Sequence, residues 1–275
     1  LPPMLLHTLM SGDSSAITRW QMAMPPAQNG TTYFNFIASH DGIGMRPAEG
    51  YLTDDQIDTM IETVKSFGGL VSLRQVSEGK TRPYEINTSL FDALKGTVNG
   101  EDEWNIERFL CSQVIAMGLQ GIPGFYVHSL LATHNDYDGL EKAGHNRAIN
   151  RHRWDYQKLR NHLDNGKNIH ATVFNEMKRL IDLRILQPAF HPNASQFSLE
   201  LDDQLFGFSR QVGEDKQEIL AIHNLSSEPH TVHVISLNMN DSFKWLDLIS
   251  GEKIDPSHGE IMFSPYQCRW ISNIG

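Results

Sequence analysis

The stretch Phe34–Pro47, FNFIASHDGIGMRP, starts as an aromatic run and ends abruptly on His40-Asp41-Gly42. With the residues before it, TTYFNFIAS is too continuously apolar for a half-exposed edge and predicts a buried strand of a parallel sheet. A charged, hydrogen-bonding pair before a glycine is then either an Asp-Gly turn or part of a site. In parallel α/β sheets ligands sit beyond the carboxyl ends of the strands, where His40 and Asp41 fall. The tripeptide alone leaves both readings open.

Outward from this strand the pattern alternates between helix and strand, which predicts α/β architecture. Thr53 and Gln56 have capping-box spacing, Asp54 and Asp55 favour the positive end of a helix, and Gly68-Gly69 stops it. Its apolar residues Ile57, Met60, Ile61 and Val64 share one face. SEGKTRPYEINTSL has no helical period and contains Pro83, so it reads as a long loop of the kind that carries function. A second helix is expected from about Trp104 to Leu119, with Ile106, Phe109, Leu110 and Met117 inward. GIPGFYVHS reads as another short buried strand, ending on His128 and Ser129. ATHNDYDGLEKAGHNRAINRHRW follows as a polar loop able to grip hydroxyls, and a third helix is expected from about Ala171 to Leu186. Past HPNAS (residues 191–195) the pattern changes. QFSLEL, LFGFSRQV, QEILAIHNL, HTVHVISL and CRWIS are short strands between turn signals, predicting an antiparallel sheet or small sandwich.

Composition narrows the function classes. With 275 residues, 40% hydrophobic and 20% charged, the chain is an ordinary globular protein, long enough for two domains. A net charge of -10 without a basic run argues against nucleic-acid or anionic-membrane binding. Cys111 and Cys268 fit no metal or redox spacing and read as isolated thiols of a reducing, cytoplasmic compartment. The N-terminal LPPMLLHTLMSGD is apolar but lacks a basic leader. No H-x-x-x-H pair lies on a helix, and no nucleophile-elbow, Walker or dinucleotide fingerprint is present. Asn150, Arg151, Tyr84 and Glu85 are compatible with ordinary surface positions. The residues by themselves define a carboxylate-bearing crevice without a named reaction.

Several separated motifs, in order, go further. FNFIASHDGIGMRP, PYEIN-x-x-x-FDAL, GIPGFYVHSLL, NDYDG and NRAINR together resemble the sucrose-phosphorylase-like branch of the α-amylase clan of (β/α)8 barrels. The resemblance implies the C-terminal portion of a (β/α)8 TIM barrel, strands seven and eight with their helices over residues 1–191. A small all-β antiparallel domain over 192–275 would follow. It implies a retaining α-glucosyl phosphorylase that uses a carbohydrate substrate and inorganic phosphate, with no metal or organic cofactor.

Roles follow from the resemblance residue by residue. Asp41 would be the carboxylate that stabilises an oxocarbenium-like transition state without attacking. His40 would donate to a hydroxyl of the same glucosyl unit, and Arg151 would hold that sugar from the far side. Tyr84 and Glu85 would shape the acceptor site. Sucrose phosphorylases often carry an acidic residue two positions before that tyrosine; this chain has Arg82, with Lys80 close by. An acceptor with a negative charge, such as glycerate or a sugar phosphate, is therefore expected. The nucleophile and acid/base carboxylates of the clan, about 5–5.5 Å apart, would precede Leu1. The chain alone is then expected to be inactive and, with barrel edges open, to self-associate. Hydrolysis or transglucosylation, and a non-catalytic carbohydrate-binding or assembly module, are the alternatives.

Overall fold

A computed structural model describes residues 1–28, 30–213, 216–239 and 242–274. The chain forms two units that interleave along the sequence: Leu1–Ser11, Phe36–Leu110 and Gly124–Lys178 make one, and Gly12–Asn35, Cys111–Pro123 and Arg179–Gly275 the other.

In the first unit the helix Asp54–Ser66 forms as its sequence predicts. The Thr53 side chain accepts from the Gln56 N–H at 3.2 Å and Gln56 accepts from the Thr53 N–H at 2.9 Å, closing the capping box. Met60, Ile61 and Val64 are buried, whereas Ile57 is only half-buried. The segment read as a loop is instead a hairpin. Strands Leu70–Ser77 and Lys80–Asn87 pair antiparallel around Glu78-Gly79, and Ile43–Gly44 adds a third strand against Ile86 and Glu85. Pro83, which cannot donate to a ladder, sits beside a register shift between Ser72 and Leu73, where its missing N–H does least harm.

The expected polar loop after residue 131 is largely helical. It holds Tyr137–Ala143, whose first turn is capped by Asp136 accepting from the Gly139 N–H at 2.8 Å, and the 3-10 turn Asn146–Asn150. His128 and Ser129 lie in the helical turn Val127–Leu130 and not at a strand end. A further helix, Tyr156–Asp164, carries no fully buried residue; Leu159 and Leu163, one turn apart, are half-buried on one face.

The opening strand is shorter and more exposed than its composition predicts. Only Phe34–Phe36 is strand, paired with Ile122–Gly124; Phe34 and Phe36 stay exposed and Asn35 turns inward. Aromatic residues favour extended backbone whether or not a covering layer exists, so propensity overstated burial. The Asn35 amide donates to the Leu119 and Gln120 carbonyls at 3.3 and 3.0 Å.

The second unit contains the antiparallel sheet expected from residue 196 onward. Six strands run in the order 253–254, 245–247, 268–272, 218–224, 205–211 and 195–198, with a separate pair formed by His230–His233 and Glu260–Phe263. The sequence reading missed 245–247, 253–254 and 260–263, which are too short to show alternation, and took Val234–Leu237, a 3-10 turn, as strand. One side buries Leu205, Leu220, Ile222, Val232, Trp245, Phe263 and Ile271 in a common core. On the other, Phe208 lies against Gly118 and Trp270 packs on Phe190 with ring centroids 4.7 Å apart. Burial on both sides explains why LFGFSR and ILAIHN are continuous and not alternating.

The end of the helix Asn105–Gly118 is closed by two arginines. Arg184 Nε donates to the Met117 carbonyl and Arg210 Nη1 to the Gly118 carbonyl, each at 2.7 Å, satisfying groups that a helix leaves unpaired. The cysteines are not isolated in space. Burial and a hydrogen bond with Cys111 push the Cys268 thiol well above its usual range, so residues far apart in sequence are neighbours in the fold.

Candidate functional site

His40-Asp41-Gly42 is both a turn and the centre of a polar cluster. Gly42 has φ +108°, and a Cβ there would lie 2.6 Å from the Ile86 carbonyl oxygen, so only glycine lets the chain leave Asp41 and join the hairpin. Ser39 Oγ accepts from the Asp41 N–H at 3.2 Å, and the Asp41 carbonyl accepts from Asn87 at 3.2 Å. These bonds fix the backbone and leave the Asp41 carboxylate partly exposed.

That carboxylate is met by cations from the 3-10 turn and its end. Arg147 Nη1 donates to Asp41 Oδ1 at 2.8 Å, Arg151 Nη2 reaches the same oxygen at 3.3 Å, and His40 Nε2 stands 3.5 Å away. Arg147 also forks onto Glu85, Nε to Oε1 at 3.0 Å and Nη2 to Oε2 at 2.8 Å. Glu85 is buried, and its Oε1 accepts a further bond from Asn87 at 2.6 Å. The hydrogen bond to Glu85 holds the Arg147 guanidinium above its usual range. With both oxygens of Glu85 committed, that carboxylate acts as a clamp and is unavailable as a nucleophile.

Asn150 and Arg151 grip the turn from behind. Asn150 Nδ2 donates to the Ser39 carbonyl at 3.0 Å and Arg151 Nε to the His40 carbonyl at 2.6 Å. A small cavity lined by Ser39, Gly42, Thr88, Tyr126, His128 and Asn150 lies here, with Asn150 Oδ1 facing no partner among the described residues.

The structure therefore brings together His40, Asp41, Glu85 and Arg151 from the sequence reading. Tyr84 is exposed and close enough to Arg147 to raise its basicity. Arg82 is exposed farther along the hairpin, opposite Arg74. Sequence reasoning missed Arg147 and Asn87. The signal was present in NRAINR, where two Asn-Arg pairs are spaced by four residues, but only the second was singled out.

A second cleft of about 320 Å³ in the same unit is lined by His134, Asp136, His152, Trp154 and His170. Hydrogen bonding to Asp92 at 2.6 Å raises the His134 pKa, whereas burial lowers that of His170. Burial pushes the Asp136 carboxyl up, but the Gly139 N–H and His152 outweigh it and leave it below its usual range. Among the described residues no group of three or more His, Cys, Asp or Glu is arranged to hold a metal, and no helix is long and apolar enough to cross a membrane.

The chain's structural neighbours are α-amylase-clan enzymes. The structure of sucrose 6F-phosphate phosphorylase from Thermoanaerobacter thermosaccharolyticum matches 82% of this chain and 41% of its own, with a TM-score of 0.67 and 21% identity. By sequence the chain is homologous to the glucosylglycerate and sucrose phosphorylases, corresponding to a C-terminal portion of them. Glucosylglycerate phosphorylase of Allomeiothermus silvanus is 35% identical over 98% of this chain, and sucrose phosphorylase of Agrobacterium vitis is 29% identical over 74%. The chain spans 46% and 39% of those two proteins. No protein-family model matches it.

Proposed function

We propose that this chain supplies the sugar-binding and acceptor-facing part of a retaining α-glucosyl phosphorylase. Such an enzyme transfers a glucosyl group from an α-glucoside to inorganic phosphate and yields α-glucose 1-phosphate. The observation that carries the reading is the cluster around Asp41. A carboxylate half open to solvent and oriented by two guanidiniums suits a positively charged, oxocarbenium-like transition state and the hydroxyls beside it.

In this reading Asp41 stabilises that transition state and His40 donates to a hydroxyl of the glucosyl unit. Arg147 holds Asp41 against the hairpin and, with Arg151, faces the sugar. Tyr84, Glu85 and Arg82 line the acceptor side. Phe34–Phe36 and Ile122–Gly124 would be barrel strands seven and eight, residues 192–275 the β domain, and the nucleophile and acid/base would come from a preceding segment. The exposed Arg82 guanidinium, without an ionic partner among the described residues, together with the higher identity and fuller coverage to glucosylglycerate phosphorylases, favours glycerate over fructose as the acceptor. The protein would act as a cytoplasmic enzyme.

The test compares this chain with the chain extended at its N-terminus to the length of its relatives. Each is assayed for α-glucose 1-phosphate with glucosylglycerate, sucrose and sucrose 6-phosphate, with and without phosphate. Phosphate-dependent product from the extended protein, greatest with glucosylglycerate and absent from the chain alone, is the expected result. Release of free glucose independent of phosphate would favour hydrolysis instead.

A further inference from the structure

The hairpin holds two arginines in one rung. Arg74 and Arg82 are directly paired partners across strands Leu70–Ser77 and Lys80–Asn87. Like charges opposite each other oppose pairing, so the arrangement calls for a physical reason. The register shift between Ser72 and Leu73 leaves Tyr84 as the extra residue, because Glu85 pairs with Ser72 and Pro83 with Leu73. One extra residue reverses the alternation and returns Arg82 to the side that carries Glu85. Ser72 and Arg74, two apart, share that side as well. It is the side met by Asn146 and Arg147, through bonds of 3.2 Å to Ser72 and 2.8 Å to Glu85. The arginine rung thus lies about 7 Å along the strands from the Ser72/Glu85 rung.

The two arginines are not equivalent. Arg74 Nη2 donates to Glu49 Oε1 at 2.6 Å, while Arg82 has no ionic partner among the described residues. Glu49 is delivered by the segment that carries His40 and Asp41, just after the 3-10 turn Arg46–Ala48. Two guanidiniums and one carboxylate leave one net positive charge at this rung.

We infer that Glu49, by neutralising Arg74, sets the acceptor site to read one negative charge, as on a carboxylate, and to disfavour the two of a phosphate monoester. This rests on the proposed acceptor-facing role of the hairpin and deepens it. Arg82 provides the contact charge, and Glu49 is a specificity-determining residue that acts through Arg74. A free Arg74 would add a second fork suited to phosphate oxygens.

Three acceptors of similar size separate the charge states: glycerol, D-glycerate and glycerol 3-phosphate. Their equilibrium binding to the chain extended at its N-terminus to the length of its relatives is measured by calorimetry at fixed ionic strength, with circular dichroism to verify folding. The unmodified extended chain should prefer D-glycerate to both others. Glu49→Gln should raise binding of glycerol 3-phosphate about five-fold relative to glycerol, as expected for one freed charge near the surface. Arg74→Gln breaks the same ion pair without freeing a cation and should give no such gain. Arg82→Ala should abolish the preference for D-glycerate over glycerol. If Glu49→Gln fails to fold, Glu49→Asp, which withdraws the carboxylate, should give a smaller gain in the same direction. Equal changes across the three ligands, a gain in Arg74→Gln, or no preference in the unmodified extended chain would overturn the inference. Binding is read without turnover, so a phosphorolysis assay that fails while the charge ranking holds would reject the proposed reaction and leave this inference standing.

Discussion

Arg147 joins Asp41 to Glu85, lying 2.8 Å from an oxygen of each, so one guanidinium ties the exposed carboxylate of a turn to the buried carboxylate of a hairpin. The arrangement orients Asp41 and fixes the hairpin end with the same side chain. Its loss has consequences that differ from the loss of Arg151, which holds a backbone carbonyl and only grazes Asp41 at 3.3 Å.

Arg147→Ala in the extended protein should lower kcat/KM for glucosyl transfer by about a hundred-fold, in the range of a lost transition-state contact. Arg147→Lys should recover little, because an ammonium cannot fork onto Glu85 while reaching Asp41. Arg151→Ala should cost about ten-fold. Steady-state kinetics with glucosylglycerate and phosphate measure all three, and equal losses for Arg147→Ala and Arg151→Ala would refute this division of roles.

Gly42→Ala should destabilise the first unit by about 2–4 kcal/mol, since it adds a left-handed backbone penalty to a close approach to the Ile86 carbonyl. Urea unfolding followed by far-UV circular dichroism is the measurement. A change below about 1 kcal/mol would mean that the turn relaxes without strain.

Thr53→Ala removes the acceptor for the Gln56 N–H and should cost about 1 kcal/mol. Asn at the same position should retain most of that stability, because its side chain also caps. Thermal denaturation of both variants tests this.

His223 is fully buried, and burial lowers its pKa to about 4 although its Nδ1 meets the Phe206 carbonyl at 2.9 Å. The unfolded chain therefore takes up a proton near pH 6.5 that the folded chain refuses until about pH 4. This contribution to stability is complete above pH 6.5 and is lost as pH falls through that window, by roughly 3 kcal/mol in all. Urea midpoints of the protein and of His223→Gln between pH 7 and pH 4 measure it; parallel pH dependences would contradict the assignment.

Much of the site was readable before any coordinates. Asp41 stood out as a carboxylate at the end of an apolar run, whereas Glu85 and Arg151 gained roles only through the resemblance carried by PYEIN and NRAINR. Arg147 was passed over because a guanidinium four residues from another looks the same in sequence; which one reaches Asp41 depends on how the 3-10 turn Asn146–Asn150 meets the hairpin. The placement of Arg82 opposite Arg74 depends on a bulge at Tyr84, and a single inserted residue leaves no periodic trace.

The sequence by itself determined what is local and repeated. The capping box at Thr53, the antiparallel strands after residue 196 and the glycine demanded by the turn at Gly42 follow from short-range hydrogen bonds, alternation and backbone sterics. Only the tertiary structure decided the rest. It made the Pro83 segment a hairpin, left Phe34 and Phe36 exposed, and brought Cys111 beside Cys268. Those outcomes rest on pairings between residues far apart in the chain, whose energies depend on register and burial that no single segment encodes.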